Sequence, residues 1–406
     1  TSKTALPIDF LNGQLLLTLH PFFKKAKKMV YNKLTDTTKD LFSLISDKAK
    51  EYNAINLVQP EQSECPAELI NLAQHYISGG YNHYAPPYGV YPLREQISEK
   101  VKADYGREID PYKEITITSG ANQAVFTTIS SFISDEDEVI VFEPAYKSYV
   151  PSIQNLGGRP IYVPLKLPDY HIDWTEVQKV ISSRTKLLIV NSPHNPTGTI
   201  LSSEDLIQLK KIVNGTNIRI LSDEVFEHFI FGEYKHQSLL QIPELYQRSI
   251  IVSSFGKLFN IPGWKIGYCI APERLTKEIQ KTHTFQINSV NTPLQHAIAD
   301  YLKKDVNKEG IQEKYEKKRS LVQEYLADTN YEIVETKGTY FQLIKYDKVS
   351  NLKDTEFVEQ LMKKGVAVFP LSFYYHDFLD NKVVGLNFAH PDEELRKGLE
   401  ILAAFK

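Results

Sequence analysis

Lys257 follows the apolar run Ser249–Val252 and the small, hydroxylated pair Ser253-Ser254. A second apolar run, Lys265–Ala271, begins eight residues later. That pattern places Lys257 at the exit of a buried strand. Desolvation there lowers a lysine pKa, and a neutral amine attacks a carbonyl to form an imine. Taken alone, a lysine in such a loop is more simply a solvated one.

Other groups with chemistry stand at the ends of apolar runs. Ser119-Gly120-Ala121-Asn122 passes from a strand to a helix, where backbone N–H groups can cradle a phosphate. Ser254 and Lys265 could complete that cradle with a hydroxyl and an ammonium. Asn191-Ser192-Pro193-His194-Asn195-Pro196-Thr197-Gly198 is a turn that aims Asn195 outward. Ser222-Asp223-Glu224 puts an acid after the run Arg219–Leu221, and Tyr146 offers an aromatic plane. Each piece has an ordinary reading: a turn, a helix cap, a loop. Together, a lysine, an acid, a phosphate cradle and a stacking ring describe pyridoxal phosphate binding. The lysine carries the aldehyde, and the acid keeps the pyridine nitrogen protonated so that the ring accepts electrons.

Strands must carry these groups. Apolar runs at Glu114–Thr118, Glu138–Phe142, Pro160–Leu165, Lys186–Val190, Arg219–Leu221, Ser249–Val252 and Lys265–Ile270 read as strands. Helical spacing in Gln123–Phe132 and Glu204–Val213 alternates with them. This is the pattern of an α/β protein with a mostly parallel sheet covered on both faces. In such sheets functional groups gather beyond the carboxyl ends of the strands. Upstream, Leu41, Leu44, Ile45 and Ala49 recur at helical spacing, Asn53–Val58 reads as a strand, and a helix runs from Pro66 to Ile77, ended by Gly79-Gly80. Leu93–Tyr105 is amphipathic. Beyond residue 300 the pattern becomes α+β. It has helices at Gly310–Ala327, Asp354–Lys364 and Asp392–Phe405, with Asp392 as N-cap, and strands at Tyr331–Glu335, Tyr340–Lys345 and Val366–Phe369.

Composition narrows the class. A net charge of −3 gives no electrostatic case for nucleic acid or an anionic membrane. The two cysteines, Cys65 and Cys269, have no metal or redox spacing, and Cys269 reads as a packed thiol. No metal site is expected. A reducing cytoplasm fits this usage. Leu11–Leu19 is interrupted by Asn12, Gly13 and Gln14 and is too short to span a bilayer. Phe22–Lys28 is basic and aromatic, and is expected to form a solvated arm or a lid.

Over residues 36–406 the chain resembles the fold-type I, class I/II aminotransferases, in the kynurenine/methionine (glutamine-phenylpyruvate) group. The resemblance rests on Asn191–Gly198, Ser222–Glu224, Ser254–Lys257 with Gly263-Trp264-Lys265, Phe142–Tyr149, and Gly338-Thr339-Tyr340-Phe341. It implies a large domain (76–304) built on a mostly parallel seven-stranded sheet. A small α+β domain (36–75 plus 305–406) and an N-terminal arm (1–35) would complete the chain. It implies that Lys257 bonds the cofactor and shuttles a proton, and that Asp223 pairs with the pyridine nitrogen. Asn195 would meet the ring oxygen and Tyr146 would stack on the ring. Ala121, Asn122, Ser254 and Lys265 would hold the phosphate. Tyr84 would reach it from a second subunit, so a cytoplasmic homodimer with shared active sites is implied. The reaction would be ping-pong amino transfer between an amino acid or amine and a 2-oxo acid.

Three positions depart from that pattern. Phe226 replaces a tyrosine that meets the ring oxygen, Pro60 replaces a glycine near the substrate, and Gly385 stands where an arginine clamps the substrate carboxylate. The substrate then lacks an ordinary α-carboxylate, or another cation supplies the clamp, with Lys382, His390 and the basic arm as candidates. Rival readings are a C–S β-lyase or other Cα chemistry on the same cofactor, and a non-catalytic cofactor-binding relic.

Overall fold

The computed structural model describes residues 41–61, 65–304 and 308–405; the arm 1–35 lies outside them. Among the described residues thirteen strands occur: β1 (Ile55–Asn56), β2 (Ile115–Thr118), β3 (Glu138–Glu143), β4 (Arg159–Pro164), β5 (Thr185–Asn191), β6 (Arg219–Asp223), β7 (Ser249–Ser254), β8 (Gly267–Ile270), β9 (Glu332–Ile333), β10 (Phe341–Lys345), β11 (Val366–Ala367), β12 (Phe369–Pro370) and β13 (Val383–Asn387). Seven of them form one sheet in the order β2-β8-β7-β6-β5-β3-β4.

Strands β4, β3, β5, β6 and β7 run parallel, and β8 is antiparallel to both β7 and β2. The expected mostly parallel α/β sheet is therefore present. The reason lies in the sequence: the parallel strands β3, β6 and β7 have mainly apolar runs and are buried along nearly their whole length, as a sheet covered on both faces requires. Helices such as Gly120–Phe132, Ser203–Val213 and Glu273–Ile287 carry apolar stripes that cover the faces. Cys269 packs inside this core as a free thiol, and burial pushes its pKa up to about 12.

The parallel register lines up the strand ends that matter. Asn191 pairs with Asp223 across β5 and β6, and Asp223 pairs with Val252 on β7. Beneath that edge lies a buried polar cluster. Glu227 accepts from Lys100 Nζ at 2.8 Å, Tyr105 Oη at 2.5 Å and Ser253 Oγ at 2.9 Å. A carboxylate this deep is held ionised by its lysine, and its pKa falls accordingly.

The C-terminal part forms a four-stranded sheet in the order β12-β13-β10-β9, and β1 pairs with β11 in a parallel two-stranded sheet. Several expected boundaries shift. Val366–Phe369 is not one strand: β11 and β12 serve different sheets. Asn53–Val58 contributes only the two residues of β1. Asp392 is not the N-cap of the last helix. Pro391 is, and Asp392 in the first turn pairs instead with Lys318 Nζ. Among the described residues, no helix is long and apolar enough to cross a membrane.

Candidate active site

Strand β6 is longer than its apolar core suggests and ends on Asp223 itself. Asp223 is 4% exposed. Tyr149 Oη donates to its Oδ2 at 2.7 Å, and Val225 N donates to Oδ1 at 3.4 Å. Burial nevertheless pushes its pKa up to about 6. The neighbouring Glu224 turns the other way, accepting from Ser222 Oγ and meeting His236 Nε2, both at 2.8 Å. One acid of the pair therefore faces the site.

Asn191, last in β5, donates its amide to the Asp223 carbonyl at 2.9 Å and accepts from Asn195 N at 2.8 Å. This fixes the turn that presents Asn195, whose Oδ1 is buried without a hydrogen-bond partner. The carbonyl of Gly198, at the end of the turn, accepts from Lys337 N and Gly338 N, both at 2.9 Å.

Lys257 lies in the short helix Phe255–Leu258, which Ser254 caps through its hydroxyl at 3.1 Å. Its Nζ bonds Tyr340 Oη and lies 5.8 Å from the Phe226 ring centroid. Desolvation lowers its pKa, opposed by the charges of Tyr146 and Asp223. Lys265 precedes β8 in a left-handed conformation, φ 55°. Burial lowers its pKa too, and the charge on Lys257 adds to the effect. The two ammonium groups thus face a common space.

The phosphate-cradle segment is helical from Gly120, earlier than the expected Gln123. Gly120 has φ 76°, and a Cβ there would sit 3.0 Å from Lys265 Nζ. A Cβ on Gly267 would come within 2.9 Å of Ala121 N. The helix start, β8 and Lys265 are therefore packed at backbone contact. Tyr146 Oη donates to Asn122 Oδ1 at 3.0 Å, which ties the aromatic plane to the same corner.

So Ala121, Asn122, Tyr146, Asn195, Asp223, Ser254, Lys257 and Lys265 gather beyond one end of the sheet's strands. Tyr84 does not join them in this chain; it is 87% exposed. Two residues were missed from sequence. Tyr149 holds the acid, and in the sequence it stands only as the last residue of the motif Phe142–Tyr149. Tyr340 holds the lysine, and appeared only as part of a motif.

The clamp candidates fare differently. Lys382 Nζ is engaged by Leu352 O at 2.8 Å and Asp380 Oδ2 at 3.1 Å. His390 is buried, and desolvation brings its pKa down to about 4, so it is neutral and supplies no cation. At Gly385 a Cβ would fall 2.1 Å from Phe369 Cζ. The space that a side chain at 385 would need is filled by a phenyl ring.

The family profile for class I and II aminotransferases matches residues 54–402. Methionine aminotransferase of Escherichia coli is 38% identical over 374 residues, covering 91% of this chain and 97% of the relative. A crystal structure of an E. coli methionine aminotransferase superposes with a TM-score of 0.90 at 38% identity, covering 93% of this chain and all of that one. Kynurenine–oxoglutarate transaminase of Dictyostelium discoideum is 30% identical over 403 residues, covering 89% and 93%. With strand ends, lysine and acid arranged as above, this chain belongs to the class I and II aminotransferases of fold type I, in their methionine and kynurenine group, and is an enzyme of that family.

Proposed function

We propose that the chain binds pyridoxal phosphate and catalyses ping-pong amino transfer between an amino acid or amine and a 2-oxo acid. The observation that carries this is the facing of a half-buried Lys257 and a buried Asp223 from the ends of neighbouring strands β7 and β6. The residues fit the cofactor. Among the described residues, no carboxylate bonds Lys257 or Lys265, so their charges suit an anion. Asn195 Oδ1 lacks a partner that a ring hydroxyl would provide.

When bound, pyridoxal phosphate supplies a ring that accepts electrons from the substrate Cα. In this reading Lys257 holds the cofactor and moves a proton at Cα with its Nζ. Asp223, oriented by Tyr149, faces the pyridine nitrogen. Tyr146 stacks on the ring, and Asn195 meets its oxygen. Ala121, Asn122, Ser254 and Lys265 take the phosphate. The enzyme is a cytoplasmic homodimer, with the partner subunit's Tyr84 reaching the phosphate; the exposure of Tyr84 supports this. Residues 36–75 plus 305–406 act as the small domain against 76–304.

Single-turnover absorbance tests the reading. Protein loaded with pyridoxal phosphate is mixed with a panel of amino acids and amines. Conversion to pyridoxamine phosphate by some donor is expected, and no spectral binding of the cofactor would refute it. The filled place at Gly385 favours one second reading, β-elimination of a substrate held without an arginine. It would release product without leaving pyridoxamine phosphate.

A further inference from the structure

Tyr340 is fully buried, and its ring is walled by Phe226 at 4.9 Å, Phe341 at 4.9 Å and Phe229 at 5.7 Å between centroids. Its hydroxyl is the polar tip of a ring packed among aromatic side chains. Among the described residues, the hydrogen-bond partner of that hydroxyl is Lys257 Nζ. The phenyl ring of Phe226, its centroid 5.8 Å from Nζ, offers no oxygen.

The backbone that delivers Tyr340 is strained. Thr339 sits at φ 70°, a region that β-branched residues avoid. The strain is held in place by neighbours. Thr339 N donates to Phe229 O at 2.9 Å, Phe341 N donates to Thr339 Oγ1 at 3.1 Å, and Gly338 lies too close to Pro193 and to the Phe229 carbonyl for a Cβ. Through Gly198 O, the same turn is locked to the one that presents Asn195. Conformational cost maintained by surrounding contacts is a mark of a positioned functional group.

We propose that Tyr340 is a positioning residue for the amine of Lys257, holding Nζ in place whenever it is not bonded to the cofactor. This rests on the reading of Lys257 as the cofactor lysine. A phenol suits the task because it bonds both forms of the amine. It accepts from the ammonium and donates to the neutral nitrogen. A carboxylate would instead trap the ammonium. Burial raises the Tyr340 pKa, so the phenol keeps its proton throughout. The other titratable groups facing Lys257 are Asp223 at the end of β6, Tyr146 after β3 and Lys265 before β8.

The test uses the full chain freed of cofactor. Pyridoxal phosphate is added across a pH range, its attachment is trapped with borohydride, and Lys257 is identified by mass spectrometry. Attachment should rise with pH through the lowered pKa of Lys257. The charge-assisted bond to the ammonium is the stronger of the two, so in Y340F the ammonium loses more than the neutral amine and the inflection should move to lower pH by up to about one unit. The plateau rate should fall about tenfold. An unmoved inflection overturns the proposal, even with a slower plateau, because packing alone would explain the rate. Should Y340F fold poorly, T339G keeps the hydroxyl but frees the turn. It should move the inflection the same way by less, and an unmoved inflection again overturns the proposal. Wild-type protein that traps no cofactor on Lys257 would instead remove the underlying reading of the site.

Discussion

Gly385 and Phe369 pair across β13 and β12, and the Phe369 ring occupies the volume that any side chain at 385 would need. Phe369 is held there by Phe341 at 5.9 Å, Phe42 at 6.0 Å and Tyr374 at 5.6 Å. The glycine and the phenylalanine are one packing unit. A side chain at 385 thus finds a filled space, with no free slot beside the strand.

Overpacking should make this unit measurable. G385A is expected to lose about 1–3 kcal/mol of stability. F369L in the same chain should return a large part of that loss. Denaturant midpoints of the four proteins in the cycle check the coupling. Additive losses would mean that the ring moves aside freely.

Reopening the slot should change the substrate. G385R with F369A would place a guanidinium where the ring now lies. A charged hydrogen-bonded pair contributes about 1.5–3 kcal/mol. Binding of simple α-amino acids should therefore tighten roughly ten- to hundredfold. Equilibrium titration of the cofactor absorbance reads this directly.

Asp223 should give a pH-dependent stability in cofactor-free protein. Its pKa of about 6 in the fold lies above the ordinary carboxylate value. The native state therefore holds the proton more tightly than the unfolded chain. Its ionisation penalty is absent below about pH 4, grows as pH rises to about 6, and is constant above that. D223N should match wild type near pH 4 and exceed it by about 3 kcal/mol at pH 7 to 8. The amino-transfer half-reaction should slow by about two to three orders of magnitude. Chemical denaturation at several pH values and stopped-flow absorbance test the two halves separately.

Tyr149 Oη is the side-chain donor to that carboxylate among the described residues. Its hydrogen bond lowers the Asp223 pKa against the effect of burial. Y149F should raise that pKa further and slow the half-reaction about ten- to hundredfold. A pH profile shifted upward, with folding intact, distinguishes this from a general loss of packing.

Gly267 tests the cradle. A Cβ there would meet Gly120 C at 2.8 Å and Ala121 N at 2.9 Å, all backbone that cannot rotate away. G267A should cost about 1–3 kcal/mol. By separating strand from helix it should weaken pyridoxal phosphate binding roughly tenfold or more. Gly263 has open space around its Cβ position, so G263A should leave both unchanged.

Much of the site could be read from the chain because strand ends announce themselves. Lys257, Asp223 and Asn195 each follow an apolar run, and the parallel sheet brings such ends together. Partners far apart in the sequence carry no such signal. Tyr149 reaches Asp223 over 74 positions, and Tyr340 reaches Lys257 over 83. Val366–Phe369 reads as one run, because nothing in its composition says that Val366 turns to β1 and Phe369 to β13. Lys382 and His390 were candidate cations by type alone. Burial and existing bonds, which decide a side chain's charge and reach, appear only in three dimensions.

Ser254 and Gly267 face each other across β7 and β8, so everything from Phe255 to Ile266 leaves and returns at the same rung. Lys257 therefore rides on a segment latched at both ends. The interior of that segment leaves no slack: Phe255, Phe259, Ile261 and Ile266 are all buried, and a Cβ on Gly256 would meet Pro262 Cα at 3.2 Å. The position of Lys257 is thereby set by one rung of the sheet at both ends and by the core between them, so an inserted residue would have to displace packed side chains.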